Sequence, residues 1–155
     1  MKNWKTYAPF ALGFAPLLFG ELQHLLFMWA WDTHTSFAFG PFALVFAGLW
    51  CALGFLSGKL TGKALPAILL LNLPSLLFLI LAAIQEWHGY YWFHIMGRLP
   101  QLFFLPLLTW GTRLCMMLHI SEESALNLPY FCATFLLMLA LSAAGCFLHK
   151  KVSQG

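Results

Sequence analysis

Charge is what this 155-residue chain has least of: Asp, Glu, Lys and Arg together make up 8% of it, against about a quarter in soluble domains. Five acids and eight bases cannot cover a water-facing surface, which excludes an ordinary soluble fold. Long polar linkers are also missing, so residues 1–155 read as one integral membrane domain. No Gly-x-Ser-x-Gly or His-Glu-x-x-His occurs, which leaves serine-hydrolase and zincin chemistry without support. Nor is there a Cys-x-x-C: Cys51, Cys115, Cys132 and Cys146 stand singly in apolar segments, where a thiol serves as a small packing residue. Glu21-x-x-His24 is a lone copy of an element that di-iron bundles carry twice, so no di-iron site is expected. The net charge of +3 comes mainly from lysines at segment ends and implies no nucleic-acid partner.

What is present is 61% hydrophobic and 17% aromatic. A helix needs about 20 apolar residues to cross a bilayer core, and five stretches qualify: 7–31, 40–57, 64–85, 99–120 and 126–148. The expected fold is an all-α, polytopic transmembrane helix bundle of about five spans, four or six being possible. Its helices are broken by proline, with Pro9 and Pro16 in the first stretch, Pro66 and Pro74 in the third, Pro100 and Pro106 in the fourth. The basic N-terminus before the first stretch resembles a signal peptide, but the apolar run is too long for one and carries Glu21 and His24. It is read as a retained span. In the second stretch Ala43, Ala47 and Cys51 lead at four-residue spacing into Gly54-x-x-x-Gly58, a ridge of small residues suited to close helix contact.

Lysine placement predicts orientation. Lys2 and Lys5 precede the first span, and Lys59 and Lys63 lie between the second and third, which puts this side, with the N-terminus, in the cytoplasm. Five spans would then leave Lys150 and Lys151 outside, against the same rule. An even count removes the conflict, either through a re-entrant 86–96 stretch or through a fourth segment that does not cross fully.

Ionisable groups inside hydrocarbon cost several kcal/mol unless paired or watered, which singles out Glu21, Gln23 and His24 late in the first span. Gly13, Pro16, Gly20 and His24 fall near one helical stripe with Glu21 beside it, a face expected to look into the bundle. The outward loops add Asp32, His34, Glu86, Trp87, His88, Tyr91, His94 and Arg98. Asn72 and Ser75 share a face in the third span, and Gln101, Thr109, Thr112 and Arg113 add polar groups to the fourth. The expected ligand-binding set is Glu21, His24, Asn72, Glu86, Trp87, His88, Tyr91, His94, Arg98 and Gln101. Aromatic rings there can line a mouth or form an interfacial belt.

Broken helices, a polar patch in the first span and an aromatic, histidine-rich outer mouth suit a pocket for a small solute. Binding, with help in transport, is therefore the expected function rather than catalysis. Two alternatives use the same residues. One is a membrane-embedded enzyme on a lipid-like substrate, with Glu21 and His24 as acid–base or metal groups; the other is an accessory subunit of a membrane complex. The expected partners are the lipid bilayer, a small-molecule or lipid-like ligand, and a second copy of the chain or a partner membrane subunit. No cofactor is indicated.

Overall fold

A computed structural model of the chain describes residues 4–30, 39–88, 98–118 and 128–154, and all the regular structure among them is helical. The helices are α1 (Trp4–Leu12), α2 (Ala15–Ala30), α3 (Phe39–Thr61), α4 (Ala64–His88), α5 (Arg98–Met117) and α6 (Leu128–Gln154).

Proline chemistry explains why the first apolar stretch is two helices. Pro16 has no N–H to offer the Leu12 carbonyl, and the Leu17 N–H turns instead to the Phe14 carbonyl at 3.0 Å. α1 closes one turn earlier with the Gly13 N–H on the Pro9 carbonyl at 2.9 Å. At this break Gly13 sits against the Leu71 carbonyl and the Pro74 ring of α4, where any Cβ would collide. Pro74 and Pro106, by contrast, lie inside continuous helices.

α3 ends at Gly62, whose φ of 69° lies in the left-handed region that glycine enters without a Cβ penalty. The Gly62 N–H closes on the Gly58 carbonyl at 2.9 Å, and α4 starts two residues on, antiparallel to α3.

The pairing of α6 decides the topology. Trp50 Nε1 donates to the Met138 carbonyl at 2.9 Å, Gly54 abuts the Ser142 backbone, and Gly58 abuts Cys146 and His149. Residue numbers rise together, so α6 runs parallel to α3. It runs antiparallel to α4, Asn72 Nδ2 donating to Ser142 Oγ at 2.7 Å. Lys150 and Lys151 therefore arrive at the same end of the bundle as Lys59 and Lys63, with Lys5 of α1. We call this the lysine end; Arg98 and Arg113 belong to the other.

α5 makes this possible because it does not run the length of the bundle. Its first half lies along α2, with Leu102 against Gly20 and Arg98 beside His24. From Phe104 onward it crosses the first turns of α6: Phe104 stacks on Phe131 at 5.4 Å, Gly111 abuts Tyr130 and Thr134, and Cys115 Sγ reaches the Pro129 carbonyl at 3.5 Å. About 16 Å of α5 thus crosses about 8 Å of α6, and both ends of α5 lie at the arginine end. The stretch 99–120, expected to be a spanning helix, departs from that expectation here. Pro106 lies four residues past Leu102, which touches α2, and two past Phe104, which touches α6.

The core is aromatic. Phe103 stacks on Phe78 of α4 at 4.6 Å and meets Phe104 edge-on at 5.3 Å, fixing the middle of α5 between α4 and α6. Phe46, Trp50, Leu71, Leu107 and Met138 are fully enclosed around them. The exterior is apolar as well, with Leu18, Leu44, Val45, Leu65, Leu69, Leu136 and Phe147 all exposed. Among the described residues three helices, over Gly40–Thr61, Ala64–Trp87 and Leu128–Ser153, are long and apolar enough to cross a membrane. The chain is an all-α bundle and a membrane protein.

Candidate functional site

The polar groups of the arginine end gather where α2 meets α5. α2 presents Pro16, Gly20 and Gln23 inward, at the three- and four-residue steps of one helical face. Gly20 lets the two backbones touch, the Leu102 carbonyl lying where a Cβ would otherwise stand. That carbonyl is four residues before Pro106 and so lacks the N–H that would close its helical hydrogen bond; the Gly20 backbone lies against it.

One turn nearer the arginine end, His24 Nε2 and Arg98 Nη2 approach to 3.4 Å. A guanidinium only donates, so the imidazole nitrogen facing it is the acceptor, and the ring proton belongs on Nδ1. His24 is half-buried and Arg98 exposed, so the pair forms a rim. Gln23, its neighbour, turns inward to 5% exposure, and its Oε1 is enclosed without a hydrogen-bond partner among the described residues. An enclosed carbonyl of this kind costs about 1–3 kcal/mol until something donates to it. Gln101, one turn along α5 from Arg98, is exposed on the same rim.

Glu21 stands apart. It is exposed on the outward face of α2, among Leu18, Leu22 and Leu25, rather than looking into the bundle. Asn72 is also elsewhere: it lies midway along α4, 3% exposed, with Nδ2 held by Ser142 Oγ and by the Ile68 carbonyl at 2.9 Å. Ser75, three residues on, is enclosed beside it. Glu86 and Trp87 end α4 at the arginine end, Glu86 half-buried and Trp87 fully outward. Tyr91, His94, Asp32 and His34 lie outside the described residues, as does the side chain of His88. No cluster of three or more metal-ligating side chains occurs among the described residues.

Of the sequence-derived set, His24 and Arg98 come together, with Gln101 one turn along α5 and Glu86 and Trp87 at the same end. The residue given too little weight is Gln23. Its inward face follows from its seven-residue distance to Pro16, a signal present in the sequence. Compared with known protein families, curated proteins and solved structures, the chain has no match.

Proposed function

We propose that the chain is a small multi-pass membrane protein that binds a small polar solute at its arginine end and takes part in moving it. In this reading α1–α2, α3, α4 and α6 make four crossings, α5 returns to the side it came from, and both termini are cytoplasmic. The lysines support the orientation, since every described lysine lies at one end and positive charge favours the cytoplasmic side. Helical backbone that turns back within the membrane is tolerated where protein buries it or where it lines a cavity. Broken helices next to such an element are where transporters place their solutes.

The observation that carries the reading is Gln23: an enclosed carbonyl in need of a donor, beside an Arg98–His24 rim that attracts negative charge. A solute bearing an anionic group and an N–H or O–H satisfies both. The test is a thermal-shift screen of purified protein against small carboxylates and phosphate esters, followed by Arg98→Gln and Gln23→Leu. Ligands should raise the melting temperature of the wild type and lose that effect in both variants; ligand-free melting should stay near wild type in Arg98→Gln and rise in Gln23→Leu, which removes the unsatisfied carbonyl. Equal shifts in all three proteins, or no shift with any solute, would overturn the proposal.

A second reading is favoured by Glu21. A carboxylate facing hydrocarbon costs several kcal/mol, a cost removed when another polypeptide covers that face of α2. We therefore propose that the working unit is an assembly, with a second copy or a partner subunit on the Leu18–Glu21–Leu25 face.

A further inference from the structure

At the lysine end the α3–α4 turn and the last turns of α6 form an open cavity of about 620 Å³. Lys63 and Lys150 flank it, and His149, Ser153, Gly58 and Pro66 form part of its wall. No acid lines it. The five acids of the chain are Glu21, Asp32, Glu86, Glu122 and Glu123, none of them in the α3–α4 turn or in α6.

The backbone adds to this charge. Lys63 holds the N-cap position of α4, its carbonyl accepting from the Ala67 N–H at 3.3 Å. A serine or aspartate there would accept from the first N–H groups of the helix; an ammonium cannot. Pro66 has no N–H, so the Ala64 and Leu65 N–H groups are left to an outside acceptor, at the positive end of the helix dipole. His149 is held in place edge-on against Phe55 at 5.1 Å, while Ser153 Oγ donates to the His149 carbonyl at 2.7 Å. Leu65, which lines the cavity, is exposed, and outside the cavity the surface continues apolar with Leu69, Leu148 and Val152.

We propose that this cavity binds a phosphate group, that of an anionic phospholipid, with Lys63, Lys150 and the α4 N-terminus around the phosphate and acyl chains along Leu65, Leu69 and Leu148. The size of the cavity suits a headgroup, and charge-assisted donors are the groups that hold phosphate oxygens.

Four lysines close to this end allow a charge-matched test, because Lys63 and Lys150 line the cavity whereas Lys59 and Lys151 do not. The probe is phosphatidylglycerol in phosphatidylcholine nanodiscs, with the retained lipid measured by native mass spectrometry after release. Wild-type protein should keep phosphatidylglycerol over phosphatidylcholine. Lys63→Gln with Lys150→Gln should lower that adduct at least fivefold, and Lys59→Gln with Lys151→Gln should lower it less than twofold. Ser153→Trp, which obstructs the cavity with every charge left in place, should act like the first pair. Equal losses in the two lysine pairs, or a normal adduct in Ser153→Trp, would mean diffuse attraction to a charged surface and would overturn the site. Inorganic phosphate separates the two sources of the anion: failure to displace the lipid at millimolar concentration supports the phospholipid, and binding of phosphate alone without any lipid preference overturns it.

Discussion

Asn72 donates to Ser142 Oγ across 2.7 Å, joining two antiparallel helices through residues 70 positions apart. Ser142 Oγ in turn donates to the Leu139 carbonyl at 2.9 Å, so the pair forms a short relay at mid-bundle. Polar contacts between helices in a membrane are worth about 0.6 kcal/mol on average and up to about 1.7. Asn72→Ala and Ser142→Ala should each cost about 1 kcal/mol in unfolding from mixed micelles. The double variant should cost less than the sum, since the second change removes a bond the first has already broken. Solute binding should survive Asn72→Ala, as the residue is away from the His24–Arg98 rim. An additive double variant would mean that the two side chains act independently.

Close packing in this bundle rests on glycines whose Cα faces a carbonyl of the next helix. Gly145 abuts the Cys51 carbonyl and Gly54 the Ser142 carbonyl, which brings α3 and α6 into backbone contact along their parallel course. Gly145→Ala forces those helices apart and should cost about 1–3 kcal/mol, as overpacking does in other cores. Gly48 has open space where a Cβ would go. Gly48→Ala should be neutral or stabilising by roughly 0.5–1 kcal/mol through lower backbone entropy in the unfolded chain. Detergent unfolding of the two variants side by side checks both the sign and the contrast.

Glu21 tests whether the bundle works alone. On the outward face of α2 it has leucines around it, and Glu21→Leu removes an exposed carboxylate without touching the core. The isolated chain should be as stable as wild type or more so, whereas the assembled species seen in nanodiscs by native mass spectrometry should disappear. An unchanged assembly would show that this face is not the contact.

The helices themselves were legible from apolar runs and punctuation: Pro16 deprives Leu12 of its donor and Gly62 reverses the chain, both visible in the sequence. The course of α5 was not. Its length is that of a crossing, and what keeps it at one end is tertiary: Gly20 under Leu102, Gly111 under Thr134 and Phe103 on Phe78. Periodicity encodes none of these partners. The indirect sign was electrostatic, because Lys150 and Lys151 satisfied the charge bias only with an even number of crossings. The site divides in the same way. The cost of polar groups in hydrocarbon pointed to the Glu21–His24 turn, but which of its members faces inward depends on the rotation of α2 against α5. Asn72 drew attention as a polar residue in an apolar helix, and its partner, Ser142, is distant in sequence.

The parallel course of α3 and α6 makes the topology testable without any ligand. With α5 turning back, the C-terminus shares a side with the α3–α4 turn; with five crossings it would lie opposite. Single cysteines at Lys59, Lys151 and Arg98, in a background where Cys51, Cys115, Cys132 and Cys146 are replaced by serine or alanine, separate the two arrangements. A membrane-impermeant maleimide applied to intact cells should label position 98 and leave 59 and 151 unmodified until the cells are opened. Labelling of 151 but not 59 from outside would show that α5 crosses, and would break the link between the His24–Arg98 contact and a returning helix. The contact geometry favours the first pattern: Arg98 and Cys115, 17 positions apart on one helix, both touch residues of the arginine end, at His24 and Pro129.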